Sequence, residues 1–170
     1  MTIKPWPRSL RYDEDREWWS GSVRLPILQS AKLNIPTRAK PRRSVELQVR
    51  ADDEQPTDSQ LNAFKYLLAN QRQILDASLD AIAKWGRKTR HVYAKWNTDE
   101  KLAQLLPRDV NPSQLMDRVR LYNIHICNRE LKSVAYVEYS FGCCWDAEHG
   151  ILVVLLKDRQ KFCGFTGSGW

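Results

Sequence analysis

The chain has no long apolar run: nowhere does an uninterrupted hydrophobic stretch approach the ~18 residues needed to cross a bilayer as a helix. The beginning, MTIKPWPRSLRYDEDREWW, lacks the apolar centre of a secretory signal, so none is expected. Glycine is scarce, with seven in 170 residues and three of them among the last seven. No glycine-rich phosphate loop, dinucleotide fingerprint or G-x-S-x-G elbow occurs, which disfavours nucleotide-binding enzymes and serine hydrolases of those types. The four cysteines, Cys127, Cys143, Cys144 and Cys163, contain no C-x-x-C, so neither a zinc ribbon nor a thioredoxin-like centre is supported. Adjacent Cys143 and Cys144 would face opposite sides of a strand and are not expected to pair. Four free thiols near strand-like segments fit a reducing, cytoplasmic compartment. Only three histidines are present, His91, His125 and His149, and their spacing shows no convergent metal set. No metal and no cofactor is therefore expected. Repeats and low-complexity segments are also missing.

What the chain does have is tryptophan and positive charge. Seven Trp and a 42% apolar fraction describe a protein with a buried core, since disordered chains are poor in aromatics. A net charge of +7 favours an acidic partner, whether nucleic acid or protein.

The expected organisation is an irregular segment over 1–15, one domain over 16–165 and a loose tail over 166–170. Trp18–Leu25 reads as a first strand ended by Pro26. A basic loop follows, with Arg38, Lys40, Arg42 and Arg43. Ser44–Ala51 alternates, placing Val45, Leu47, Val49 and Ala51 on one face, as in a half-buried strand. Thr57-Asp58-Ser59-Gln60 fits a capping box. From it Leu61, Phe64, Leu68, Leu75, Leu79 and Ile82 recur at helical spacing, with Leu67, Ile74 and Ala83 widening the stripe. The pattern predicts one helix of about 25–28 residues, ~40 Å long at ~1.5 Å per residue, stopped near Gly86. Shorter helices are expected over Asp99–Leu106 and from Asn111-Pro112 to about Val119. Leu121–Cys127, Val134–Phe141, Ile151–Leu156 and Phe162–Phe165 read as strands, with Tyr122, Ile124 and Ile126 sharing a face. Segregation of strands from helices predicts an α+β domain: an antiparallel sheet with the long helix across one face.

Three places concentrate chemistry. Trp145–Gly150 reads as a loop between two strands and holds Asp146, Glu148 and His149, groups suited to acid–base work or metal ligation. The same residues suit a tight β-connection, with Asp146 bonding backbone amides and Gly150 supplying a permissive φ. A Cys143 or Cys144 thiolate with His149 as base is disfavoured, because the neighbouring acids would keep the thiol protonated. Residues 84–97 interleave Lys84, Arg87, Lys88, Arg90 and Lys95 with Trp85, His91, Tyr93 and Trp96. That mixture suits single-stranded nucleic acid, together with the basic loop 38–43. It equally suits a helix end anchored by aromatics with its cations in solvent.

Asn70-Gln71 within the helix, Leu121–Ile126 (LYNIHI) and above all Phe141–Gly150, which fills the pattern F-G-C-x-W-D-x-E-H-G, resemble a bacterial family catalogued as a domain of unknown function. The resemblance spans about 17–165 and includes an early W-x-G, here Trp19-Ser20-Gly21. The chain departs from it at Lys161–Phe165, where the family has an acidic, glycine-rich strand, and in the basic stretches 38–43 and 84–95. Members resemble immunity proteins that neutralise toxins passed between bacteria. The resemblance implies a non-enzymatic, cytoplasmic binder with no catalytic residues. The expected contact residues are Trp145, Asp146, Glu148, His149, Arg87, Lys88, Arg90 and Trp96, meeting a toxin with an acidic surface. A basic nucleic-acid-binding module using 84–97 and 38–43 is the alternative, and a hydrolase centred on Asp146, Glu148 and His149 is the third reading.

Overall fold

The fold rests on a seven-stranded sheet in which the strands lie side by side in chain order, β1 to β7. They are β1 (Arg11–Asp13), β2 (Trp18–Val23), β3 (Val45–Arg50), β4 (Val119–Leu131), β5 (Val134–Cys143), β6 (Asp146–Leu156) and β7 (Arg159–Phe165). The helices α1 (Asp58–Ala69), α2 (Gln71–Tyr93) and α3 (Asp99–Leu105) are inserted between β3 and β4. The computed structural model describes residues 6–15, 17–31, 43–51, 55–167 and 169–170. Of the expected basic loop, Arg38, Lys40 and Arg42 lie outside these residues, and Arg43 is exposed.

The helical insertion explains the one departure from an antiparallel sheet. β3 and β4 run parallel, with Leu47 opposite Ile124 and Val49 opposite Ile126. A parallel pair needs a long crossover, and α1, α2 and α3 supply it. The remaining neighbours are antiparallel. α1 packs on β4 and β5, and α2 on β6 and β7, so the helices share a face of the sheet. The α+β class therefore holds, as a mostly antiparallel sheet with helices against one face.

The expected single helix is two. Thr57 caps α1 in a complete capping box with Gln60, as its sequence implies. The helix then breaks at Asn70, whose backbone (φ −124, ψ 33) is not helical and whose side-chain amide and N–H both bond to Tyr66 O. The break changes the phase of the apolar stripe. Phe64, Leu67, Ile74, Leu75, Leu79 and Ile82 are buried, whereas Leu68, expected in the stripe, is exposed. α2 does not stop at Gly86 but continues to Tyr93, and Leu106 Cδ1 lies 3.0 Å from where a Cβ on Gly86 would stand. The helix expected from Asn111 is a single 3₁₀ turn, Pro112–Leu115, with its own capping box.

Other expectations shift for local reasons. Tyr122 is exposed rather than aligned with Ile124 and Ile126, because a register shift between Leu121 and Asn123 puts Leu121 on the buried side instead. Residues 1–15 are not wholly irregular: β1 extends the sheet, Leu10 is buried, and Trp6 stacks on Phe64 with ring centroids 4.8 Å apart. The W-x-G glycine has a reason here. A Cβ on Gly21 would stand 2.9 Å from the Leu10 backbone, so the close approach requires glycine. Trp170, expected in a loose tail, donates its indole N–H to Glu138 Oε1 at 2.6 Å.

Candidate functional site

Trp145–Gly150 is mostly strand rather than loop. β5 ends at Cys143, β6 begins at Asp146, and Cys144-Trp145 makes the turn between them. The reversal is held by Asp146, whose Oδ1 accepts from Glu148 N at 3.2 Å and His149 N at 3.0 Å. Gly150 (φ +67) completes it. A Cβ there would meet Phe141 O at 2.8 Å, so both conformation and space demand glycine. The connection role expected for Asp146 and Gly150 is thus present.

The same carboxylate also orients a side chain. His149 Nδ1 lies 3.1 Å from Asp146 Oδ1 and 3.3 Å from Oδ2. With the Nδ1 proton donated to the carboxylate, Nε2 is left as an acceptor. Tyr93, arriving from the end of α2, donates its hydroxyl to Asp146 Oδ2 at 3.4 Å. Burial first, then the Asp146 charge, pushes the Tyr93 pKa well above its ordinary value, so the phenol stays a hydrogen-bond donor.

These groups form one wall of an open cleft of about 670 Å³, lined by Val92, Tyr93, Trp96, Asn97, Trp145, Asp146, Glu148, His149 and Phe165. Its size and mixture of aromatic surface with few polar groups are those of a ligand site. Phe165 holds the aromatic side together, edge-on to Trp85 at 5.1 Å and to His149 at 5.8 Å. Trp96 stands on the rim with 74% of its surface exposed. Trp145 is different. It is 5% exposed, so it belongs to the core and the cleft wall and is no protruding anchor. Its indole N–H makes no hydrogen bond of ordinary geometry, yet lies close enough to the Tyr93 oxygen to favour the phenolate slightly.

The structure thus gathers Trp96, Trp145, Asp146, Glu148 and His149 of the expected contact residues and separates the arginines from them. Arg87 Nη1 donates to Val110 O at 2.5 Å and Arg90 Nε to Leu106 O at 3.0 Å, tying α2 to the segment after α3. Lys84 pairs with Asp80 at 2.7 Å. Lys88 is exposed four residues before Val92, which puts it one turn along α2 from the cleft. Val92, Tyr93, Asn97 and Phe165 complete the lining; of these the sequence singles out Tyr93 alone, as part of the basic-aromatic stretch 84–97.

Among the described residues, the cleft wall contains no Ser, Thr, Cys or Lys. The thiols nearby are occupied: Cys143 Sγ donates to Asp146 O at 3.4 Å, and Cys144 Sγ to Leu105 O at 3.6 Å. Burial pushes Cys143 up to about 12 and Cys144 up to about 11, the latter against the opposing Arg118 charge. What remains is an aromatic slot with a carboxylate-held imidazole and an exposed carboxylate, Glu148, at its mouth. Such a slot suits a flat or aliphatic group that ends in a hydrogen-bond donor or a positive charge.

No helix among the described residues is long and apolar enough to cross a membrane, which leaves strand-built membrane proteins unaddressed. No curated protein and no solved structure matches the chain. One family model does, over residues 8–163, nearly the whole sheet and every residue of the cleft except Phe165. The chain is therefore a member of the family described as domain of unknown function DUF6985.

Proposed function

We propose that this protein is a non-enzymatic immunity protein that binds and neutralises a cognate bacterial toxin in the cytosol, with the Trp96 cleft seating one side chain of the toxin. The observation that carries this reading is Trp96, 74% exposed beside an aromatic slot that is already formed. Trp is among the residues most enriched at the hot spots of protein complexes. Burying most of its surface, of order 150 Å², would contribute on the order of 4 kcal/mol before the costs of association. Asp146 and Glu148 favour a partner side chain with a positive or donor end, an Arg above all. Lys88 and Lys95, both exposed, form a basic shoulder beside this acidic slot and suit the acidic toxin surface expected from the net charge.

The nucleic-acid alternative finds less support. Of the five cations in 84–97, Arg87 and Arg90 bond to backbone carbonyls and Lys84 to Asp80.

The test is co-expression of the tagged protein with the genes flanking its own, capture, and a high-salt wash. One stoichiometric protein partner should survive, and Trp96→Ala should weaken its binding at least 30-fold while leaving the fold intact. Recovery of nucleic acid that is lost at high salt, with no protein partner, would replace this reading with the alternative. A partner bound equally well by Trp96→Ala would move the interface away from the cleft.

A further inference from the structure

On the opposite face of the sheet, three metal-ligating side chains of different chemistry converge. His125 and Cys127 are two residues apart on β4 and so face the same side, and Glu138 is the cross-strand neighbour of His125 on β5. Their inward partners, Ile124 and Tyr139, face the helices instead. One imidazole nitrogen, Cys127 Sγ and one Glu138 oxygen all lie within 4.8 Å of one another. Ligands at ~2.0–2.3 Å from a tetrahedral ion stand about 3.3–3.8 Å apart. Side-chain rotations that move these atoms by about an ångström would bring them to that spacing. We propose that His125, Cys127 and Glu138 form a zinc site, with a fourth position open to water or to a further ligand.

Two further observations support it. His125 Nδ1 faces Glu138 Oε2 at 3.0 Å, while its Nε2 is buried with no hydrogen-bond partner among the described residues. Glu138 Oε1 accepts the Trp170 indole N–H, the outer contact that typically fixes a ligating carboxylate. Burial and then the Glu138 carboxylate hold Cys127 as a neutral thiol, only partly opposed by the Arg50 and Arg129 charges, so an ion must displace its proton. A thiolate and a carboxylate together neutralise a divalent ion, and binding releases the Cys127 proton to solvent. The donor set of one sulfur, one nitrogen and one oxygen suits zinc and cobalt and disfavours magnesium and calcium, which take oxygen ligands. This site is independent of the Trp96 cleft.

The test uses the full chain without a histidine tag, titrated with Co²⁺ alone and with Zn²⁺ alone. One equivalent of Co²⁺ should produce a thiolate-to-cobalt charge-transfer band in the near ultraviolet, bleached by one equivalent of Zn²⁺. Cys127→Ser should abolish the band, Glu138→Gln and His125→Ala should weaken binding at least 10-fold, and Trp170→Phe about 10-fold. His91→Ala, at an exposed histidine on α2 away from the cluster, should leave the cobalt band unaltered. In the unaltered protein, Zn²⁺ should protect Cys127 from alkylation, mapped by mass spectrometry, which keeps the proposal testable if Cys127→Ser does not fold. Absence of one-equivalent binding, a band that persists in Cys127→Ser, or Cys127 alkylated equally fast with and without Zn²⁺ would overturn it.

Discussion

Cys143, Cys144 and Cys163 have ordinary values near 9.0 raised by burial to about 12, 11 and 12. Burial disfavours the thiolate, so each is a neutral thiol at physiological pH and a poor nucleophile. Because the folded value lies above the unfolded one, the stability linked to these groups is fully present below pH 9 and is lost as pH rises toward 12. Two outcomes follow. At pH 8 a thiol reagent should modify these three residues slowly in the folded protein and at once in denaturant. The unfolding midpoint should fall steadily above pH 9, measured by thermal melts across pH 7–11. Asp146 carries a second prediction at the same scale. It accepts from two backbone amides, an imidazole and a phenol. Asp146→Ala should cost about 2–3 kcal/mol in chemical denaturation by leaving those donors unmet. His149→Ala removes a side chain that is 61% exposed and should cost under about 1 kcal/mol. A reversed order of the two would mean that the imidazole, not the carboxylate, organises the turn.

Gln60 works at the level of elements. It is wholly buried, receives Thr57 N at 2.8 Å as part of the cap, and donates to the carbonyls of both Arg50 and Cys127, the latter at 3.1 Å. It thus joins the start of α1 to β3 and β4 at the place where these two parallel strands separate. Gln60→Leu keeps the volume but leaves two buried carbonyls and an amide without partners. It should destabilise by about 3 kcal/mol, against about 1 kcal/mol for Thr57→Ala, which loses only the cap. Equal losses would reduce Gln60 to a capping residue. The capping half of this arrangement is legible in Thr57-x-x-Gln60, because it is local. The bridging half is not, because it joins residues 67 positions apart. The same division runs through the rest. The strand pattern of 44–51 and the density of polar groups at 145–149 are local signals, and both are present in the fold. The helix break at Asn70 is hidden because the leucine spacing continues through it. The cleft is hidden because Tyr93 and Trp96 reach the turn only if α2 runs through Gly86, and that in turn depends on Leu106 packing where a side chain would otherwise stand. The His125–Cys127–Glu138 cluster escapes histidine spacing for a similar reason: one ligand comes from across a hairpin.

At the scale of the molecule, charge and cleft point in opposite directions, and the two act at different stages of binding. A net charge of +7 acts over a Debye length, about 8 Å at physiological salt, and accelerates encounter with an acidic partner. In the proposed complex, the slot beside Asp146 and Glu148 would act only on contact. Long-range attraction mainly sets the association rate, whereas desolvated contacts set the lifetime of the complex. Lys88→Glu combined with Lys95→Glu alters the exposed shoulder formed by α2 and the turn that follows it, without touching the cleft wall. With the captured partner on a biosensor surface, this pair of changes should slow association roughly 10-fold at low salt and leave dissociation within about 2-fold. The difference should shrink as salt rises toward 0.5 M, where screening removes the field. Trp96→Ala should do the reverse, accelerating dissociation with little effect on association and little dependence on salt. If the lysine changes instead accelerate dissociation at every salt concentration, the shoulder is part of the contact itself and the cleft is one end of a larger interface that runs along α2.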